Sequence, residues 1–196
     1  MSIKWEWDLS NVLTAILAAG AIASFIVVYC QLQESQHALK VDQRAWVGFD
    51  EIIDDWTLKP DQPFIISVPL KNLGKTPAKY VSAGFTAAIC KKGETPNFDE
   101  LVNPLMGPPA GLVLPNQIHN FIANGPKEYG GKLPEPVINE VKSGDRVIFA
   151  FAKVTYTDIF NVQHCTRYCR ESEPHWLRSV RFKSCQQYND IDPNDE

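Results

Sequence analysis

The chain has no concentrated basic footprint: 19 Lys and Arg stand against 23 Asp and Glu, the net charge is −4, and no stretch gathers the cations. A phosphate-backbone partner needs clustered Lys and Arg, so nucleic acid is not expected as a partner. Catalytic signatures are missing as well. There is no Gly-rich phosphate loop, no His-Glu-x-x-His and no Gly-x-Ser-x-Gly, and the expectation is a protein that is not an enzyme. No internal repeat is visible. Long apolar runs are missing too, with one exception that decides where the rest of the chain lives.

That exception is Val12 to Cys30, VLTAILAAGAIASFIVVYC, without a charge in it. About 20 apolar helical residues match the hydrocarbon thickness of a bilayer, so 12–30 reads as a transmembrane helix after a short flank, 1–11. A cleaved signal peptide fits less well. The flank MSIKWEWDLSN sets Lys4 against Glu6 and Asp8 and so lacks a positive n-region. Tyr29 before Cys30 is not the small residue a lipoprotein site needs. The segment is therefore expected to be an uncleaved signal anchor, with Trp5, Trp7 and Tyr29 at the headgroup levels. Lys4 and the amino group balance Lys40 and Arg44, so the positive-inside comparison is even; Glu6 and Asp8 lean it toward a cytoplasmic domain.

Beyond the membrane, 31–44 (QLQESQHALKVDQR) is polar, free of Gly and Pro, and rich in helix formers; it is expected to continue the helix as a stalk. From Ala45 the pattern becomes period-two. Strands are expected at Trp46–Ile53 and at Phe64–Leu70, where Pro69 should force an edge or a bulge. A third strand alternates Val81, Ala83, Phe85, Ala87 and Ile89 on one face. Arg146–Tyr156 is apolar on both faces at its centre, as a central strand should be, and Cys165–Arg170 and Trp176–Phe182 supply shorter ones. Asn97 can cap a turn of helix through FDELV, and Glu135–Ser143 has Pro136 near its start and Gly144 beyond its end. Residues 186–196, with their acidic run NDIDPNDE, are expected to be disordered. Roughly seven antiparallel strands with one or two short helices make a mainly β sandwich spanning 45–185, in keeping with the 14 prolines and 11 glycines.

Between two strands, VPLKNLGKTPAKYV places Asn72, Gly74 and Pro77. Asn bonds neighbouring backbone, Gly accepts positive φ, and Pro starts the next strand extended. Asn-x-Gly-x-x-x-Ala before an alternating strand resembles the hairpin of bacterial immunoglobulin-like modules related to CARDB adhesion-type domains. Arg44-Ala45-Trp46-Val47-Gly48, Asn72-Leu73-Gly74-Lys75-Thr76-Pro77-Ala78 and Tyr156-Thr157-Asp158-Ile159-Phe160-Asn161, with His164, Thr166 and Cys169, extend the likeness. Together they resemble a group of uncharacterised bacterial single-pass membrane proteins. The resemblance implies an immunoglobulin-like sandwich anchored in the bacterial inner membrane, and it carries no activity.

The residues with the most chemistry are His164, Cys165, Cys169, His175 and Cys185. Zinc takes four S or N ligands, and these five side chains fall within a short stretch. The three-residue gap between Cys165 and Cys169 is not a zinc-knuckle spacing, and on one strand they lie about 13 Å apart. Cys185 paired with either earlier cysteine as a disulfide, or all of them reduced, are the alternatives. A catalytic Cys165–His164 pair is disfavoured, because neighbours on a strand point to opposite faces. Asp158 reads as a residue of a hairpin tip, Asp158–Val162. The acidic pairs Asp54-Asp55 and Asp99-Glu100 read as a solvated turn and a helix start.

The expected function is a membrane-anchored, non-enzymatic interaction module, with the bilayer bound through 12–30 and an unidentified protein as partner. The alternative is a metal- or redox-responsive domain built on His164–Cys185. No cofactor is expected unless that cluster binds zinc.

Overall fold

A computed structural model describes residues 9–49, 58–107, 111–173 and 181–192. The chain divides into two compact units, 1–43 and 44–196.

The first unit is one helix, α1, Leu9–Gln43. The apolar run and the polar stretch behind it form a single helix, because neither Gly nor Pro interrupts residues 21–43. At 1.5 Å per residue the charge-free part spans about 28 Å, close to a hydrocarbon core. Its apolar side chains are uncovered by protein, Phe25 being 72% exposed, so it is no buried core helix. The Thr14 and Ser24 hydroxyls donate back to the Ser10 and Gly20 carbonyls, both at 2.8 Å, which satisfies them inside the helix. Among the described residues this is one helix long and apolar enough to cross a membrane.

The second unit is mainly β; its described residues form eight antiparallel strands in two sheets. The smaller sheet runs β1–β2–β5, from Val47–Phe49, Ile65–Asn72 and Ile118–Asn124. The larger runs β4–β3–β6–β7–β8, from Leu112–Val113, Ala78–Lys91, Arg146–Thr157, Gln163–Glu173 and Arg181–Ser184. Ile66 and Val68 of β2 pack on Ala87, Ile89, Ile148 and Ala150 across the sandwich. Among the described residues the domain also has two short α-helices: α2, Phe98–Val102, and α3, Glu135–Ser143. Asn97 caps α2 through its side chain, and Gly144 ends α3 at φ 82°, so both helices stop where their local chemistry directs.

β6 is buried on both faces. Ile148, Ala150, Val154 and Tyr156 turn inward, while Phe149 and Phe151 meet Phe98 of α2 on the other side. Phe98 lies edge-on to Phe151 at 4.6 Å and to Tyr188 at 4.4 Å. Lys153 fixes the same helix through Asp99 at 3.2 Å and Asn103 at 2.9 Å. The outer face of the large sheet is thus covered by α2 and the C-terminal segment.

Three expectations change. β2, expected at an edge or a bulge because of Pro69, is the middle strand of its sheet and pairs with β5 in unbroken register through Pro69. The Asn72 N–H bonds Gln117 on the β5 side, so by alternation Pro69 turns its missing donor toward the β1 side of the strand. Gly74 does not need positive φ, being outside the set of left-handed glycines. Its demand is steric: a Cβ there would lie 2.5 Å from both the Arg44 carbonyl oxygen and the Trp46 nitrogen. Residues 186–192, expected to be disordered, run beside β7. The Arg167 N–H donates to the Asp190 carbonyl at 2.9 Å and the Asp192 N–H to the Cys165 carbonyl at 2.7 Å. Composition suggested a solvated tail; backbone pairing along β7 holds it.

Candidate functional site

Of the side chains singled out above, Asn72, Asp158 and His164 lie at the end of the domain where its chain begins. Asp158 opens the β6–β7 turn and folds it locally: its Oδ1 accepts from Phe160 N–H at 2.8 Å and Val162 N–H at 2.9 Å. Asn161 takes φ 63°, a conformation that Asn tolerates better than most residues. The other oxygen, Oδ2, faces His164 Nε2 at 3.0 Å. His164 Nδ1 meets Asp192 Oδ2 at 2.8 Å. Arg44 approaches that same Asp192 oxygen at 3.4 Å, with its guanidinium 3.5 Å over the Trp46 ring. Asp192 Oδ1 accepts the Cys165 N–H at 2.8 Å.

These charges are deeply placed. His164 and Asp158 are 3% and 2% exposed, and Tyr156 stacks obliquely 5.2 Å from the imidazole. Each ring nitrogen faces one carboxylate oxygen, so the imidazole joins Asp158 to Asp192. Burial alone would push the Asp158 carboxyl up, but the His164 hydrogen bond, the Val162 and Phe160 N–H groups and the imidazole charge together hold it below its usual value. Burial drives the Tyr156 phenol up to about 12. Its hydroxyl donates to the Ala45 carbonyl at 3.3 Å, and the Thr166 hydroxyl donates to Val47 at 2.7 Å.

The Asn72 motif meets this cluster from the other sheet. Asn72 is fully buried. Its Oδ1 accepts from Trp46 N–H at 3.2 Å and Gly74 N–H at 2.9 Å. Its Nδ2 donates to Thr76 at 2.8 Å and Val113 at 3.0 Å. One side chain therefore ties together the start of the domain, its own turn and β4, and all four of its hydrogen-bonding positions are used. Pro77 immediately precedes β3, as its fixed φ favours.

The cysteines divide differently. Cys169 and Cys185 form a disulfide, with Cα atoms 5.4 Å apart. That bond removes both thiolates from the five-residue metal set, since a bonded sulfur is no longer a thiolate ligand. Cys165 is a free, half-buried thiol, as is Cys90, while Cys30 is free in α1. Burial pushes both the Cys165 and Cys90 thiols up, away from the reactive thiolate. His164 turns inward to its two carboxylates, while Cys165 lies on the opposite face among Lys153, Arg167 and Asp190. His175 lies outside the described residues, as do Trp5, Trp7, Trp56, Trp176 and the Asp54-Asp55 pair. Among the described residues no group of three or more His, Cys, Asp or Glu is arranged to hold a metal ion. Asp192 and Arg44 carry no local sequence signal for their part in the cluster; they reach His164 only through the fold.

At the far end of the sandwich a cleft of about 360 Å³ opens between the β3–α2 turn, the end of α3 and β7–β8. Lys92, Glu94, Glu171 and Lys183 line it over Val147 and Phe149. Lys183 bridges Glu171 at 3.1 Å and Glu173 at 3.3 Å. Compared with protein-family models and with curated proteins, the chain matches none.

Proposed function

We propose that this protein is a single-pass membrane protein whose β-sandwich stands on the oxidising side of the membrane as a non-enzymatic interaction module. The observation that carries the reading is the Cys169–Cys185 disulfide in a domain that follows a membrane-length apolar helix. Structural disulfides persist outside the reducing cytosol, which outweighs the lean that the acidic flank gives toward a cytoplasmic domain. The chemistry-bearing groups support the non-enzymatic part. His164 has both ring nitrogens engaged, so neither is offered to a substrate or a nucleophile. The mixed-charge cleft at the far end is the surface assigned to a protein partner. An immunoglobulin-like lineage among bacterial inner-membrane proteins, with the disulfide-bearing face in the periplasm, belongs to the same proposal.

A membrane-impermeant amine reagent applied to spheroplasts tests this reading. Labelling of Lys92 and Lys183 before lysis supports it; labelling of those lysines only after lysis refutes it. Photo-crosslinkers at Lys92 and Glu94 in the intact membrane should then trap a discrete protein species. Their failure to do so while the amine labelling succeeds would remove the interaction surface and keep the topology.

A further inference from the structure

β7 runs from Gln163 to Glu173, but β8 pairs with it only from Arg170 to Glu173. The rest of that edge presents the N–H groups of Cys165, Arg167 and Cys169. A row of this kind is a template for another strand. Residues 186–192 of the chain itself lie along it. The Cys169 N–H donates to Asn189 Oδ1 at 3.0 Å, the Arg167 N–H to the Asp190 carbonyl at 2.9 Å, and the Cys165 N–H to Asp192 Oδ1 at 2.8 Å. Two of those three acceptors are side chains, where a regular ladder supplies backbone carbonyls.

The segment fits the edge poorly. Between Cys185, whose N–H meets the Cys169 carbonyl at 3.2 Å, and Ile191, which bridges Thr166, it takes six steps where β7 takes three. The surplus follows Cys185, and there Gln186 and Gln187 are exposed. Tyr188 and Asp192 take φ of 62° and 51°, a left-handed backbone that is costly for a residue as bulky as Tyr. No side chain from 186 to 192 is buried, and Ile191 is 49% exposed. Apart from the Tyr188 ring against Phe98, the hold is polar. Asp192 meets Arg44 at 3.4 Å and His164 at 2.8 Å, and Asp190 lies 4.0 Å from Arg167.

We propose that the Cys165–Cys169 edge of β7 is a strand-addition site for an extended acidic segment of another protein, which residues 189–192 fill in cis until it displaces them. A regular added strand bonds through its backbone at alternate residues, which this kinked segment does not. Carboxylates two residues apart on such a strand reach Arg167 and Arg44 as Asp190 and Asp192 do. A second copy is the poorer donor, because the Cys169–Cys185 bond fixes its segment to its own β7 only four residues before Asn189.

The test uses the full chain in detergent micelles with Asn189→Ala and Asp192→Ala, which keep the segment but remove the grip of its side chains. The probe is the fluorescein-labelled pentapeptide Tyr-Asn-Asp-Ile-Asp, the sequence of 188–192, beside a neutral Tyr-Asn-Asn-Ile-Asn control. Anisotropy should show the acidic peptide binding the variant at least about tenfold more tightly than the parent, whose tethered segment competes at high effective concentration. The neutral peptide should lose that binding, and the bound acidic peptide should slow hydrogen exchange at the Cys165 and Arg167 amides. No binding to a variant that still melts cooperatively overturns the proposal, as does equal binding to variant and parent. A variant that no longer melts cooperatively overturns it too, because the segment is then part of the fold. Dimers of the variant that exclude the peptide would give the edge to a second copy and overturn it as well.

Discussion

His164 and Asp192 lie 28 positions apart in sequence, yet His164 Nδ1 is 2.8 Å from Asp192 Oδ2. The contact joins the start of β7 to the C-terminal segment, and Asp158 holds the other face of the same ring. The imidazole is thus a strut between the β6–β7 turn and the segment that runs beside β7.

Removing that strut takes one hydrogen-bond partner from each carboxylate, while Asp158 keeps the Phe160 and Val162 N–H groups and Asp192 keeps Arg44 and the Cys165 N–H. His164→Ala should destabilise the domain by about 1–3 kcal/mol, the range for a buried polar group that loses a partner. Urea titration followed by tryptophan fluorescence measures it. An effect below about 1 kcal/mol would show that the carboxylates relax to solvent without penalty.

Acid should loosen the same place. The folded state holds Asp158 below its unfolded value, so its contribution is present above about pH 4 and is lost as pH falls through the lower folded value. Asp158→Asn should remove this part of the acid dependence, leaving a flatter stability curve below about pH 4. Melting temperature against pH for the two proteins is the measurement.

Base acts through Tyr156 with the opposite sign. Its folded value is raised to about 12 from 10.0, so the folded state keeps the proton longer. The stability from that retention is complete below pH 10 and is lost as pH rises to about 12. Tyr156→Phe should abolish this component, and absorbance of the phenolate should track unfolding in the parent protein.

Gly74→Ala tests the turn. A Cβ 2.5 Å from Arg44 O and Trp46 N cannot be accommodated without moving the start of the domain, and overpacking of this kind costs about 1–3 kcal/mol. Gly93→Ala is a comparison without steric contact, since nothing lies within 4 Å of its Cβ, although its φ of 88° strains it. The Gly74 variant should disturb Trp46 fluorescence and the Gly93 variant should not.

Much of this fold is written locally. The charge-free run gives α1, alternation gives β3, and the two-faced apolar centre of 146–156 gives β6 its place between β3 and β7. Asn97, Gly144 and Asp158 mark two helix ends and a turn through interactions within a few residues. What escaped was long-range. Pro69 restricts one side of a strand, and only the pairing decides which side carries that loss. Cys165 and Cys169 share a face by spacing, but the choice of Cys169 for Cys185 follows from how β8 returns along β7. Arg44 and Asp192 stand near opposite ends of the domain sequence, so no motif could join them to His164.

The account turns most directly on the state of the cysteines in the native membrane. Thiols would be blocked before lysis with a permeant alkylating reagent, the chain digested without reductant, and the peptides mapped by mass. The expected result is a linked Cys169–Cys185 peptide, with Cys90 and Cys165 recovered in alkylated form. A 16-residue separation makes that link worth about 3 kcal/mol, so reductant should lower the unfolding midpoint as well. Recovery of both Cys169 and Cys185 as alkylated thiols would contradict the oxidising-side placement and the proposal built on it.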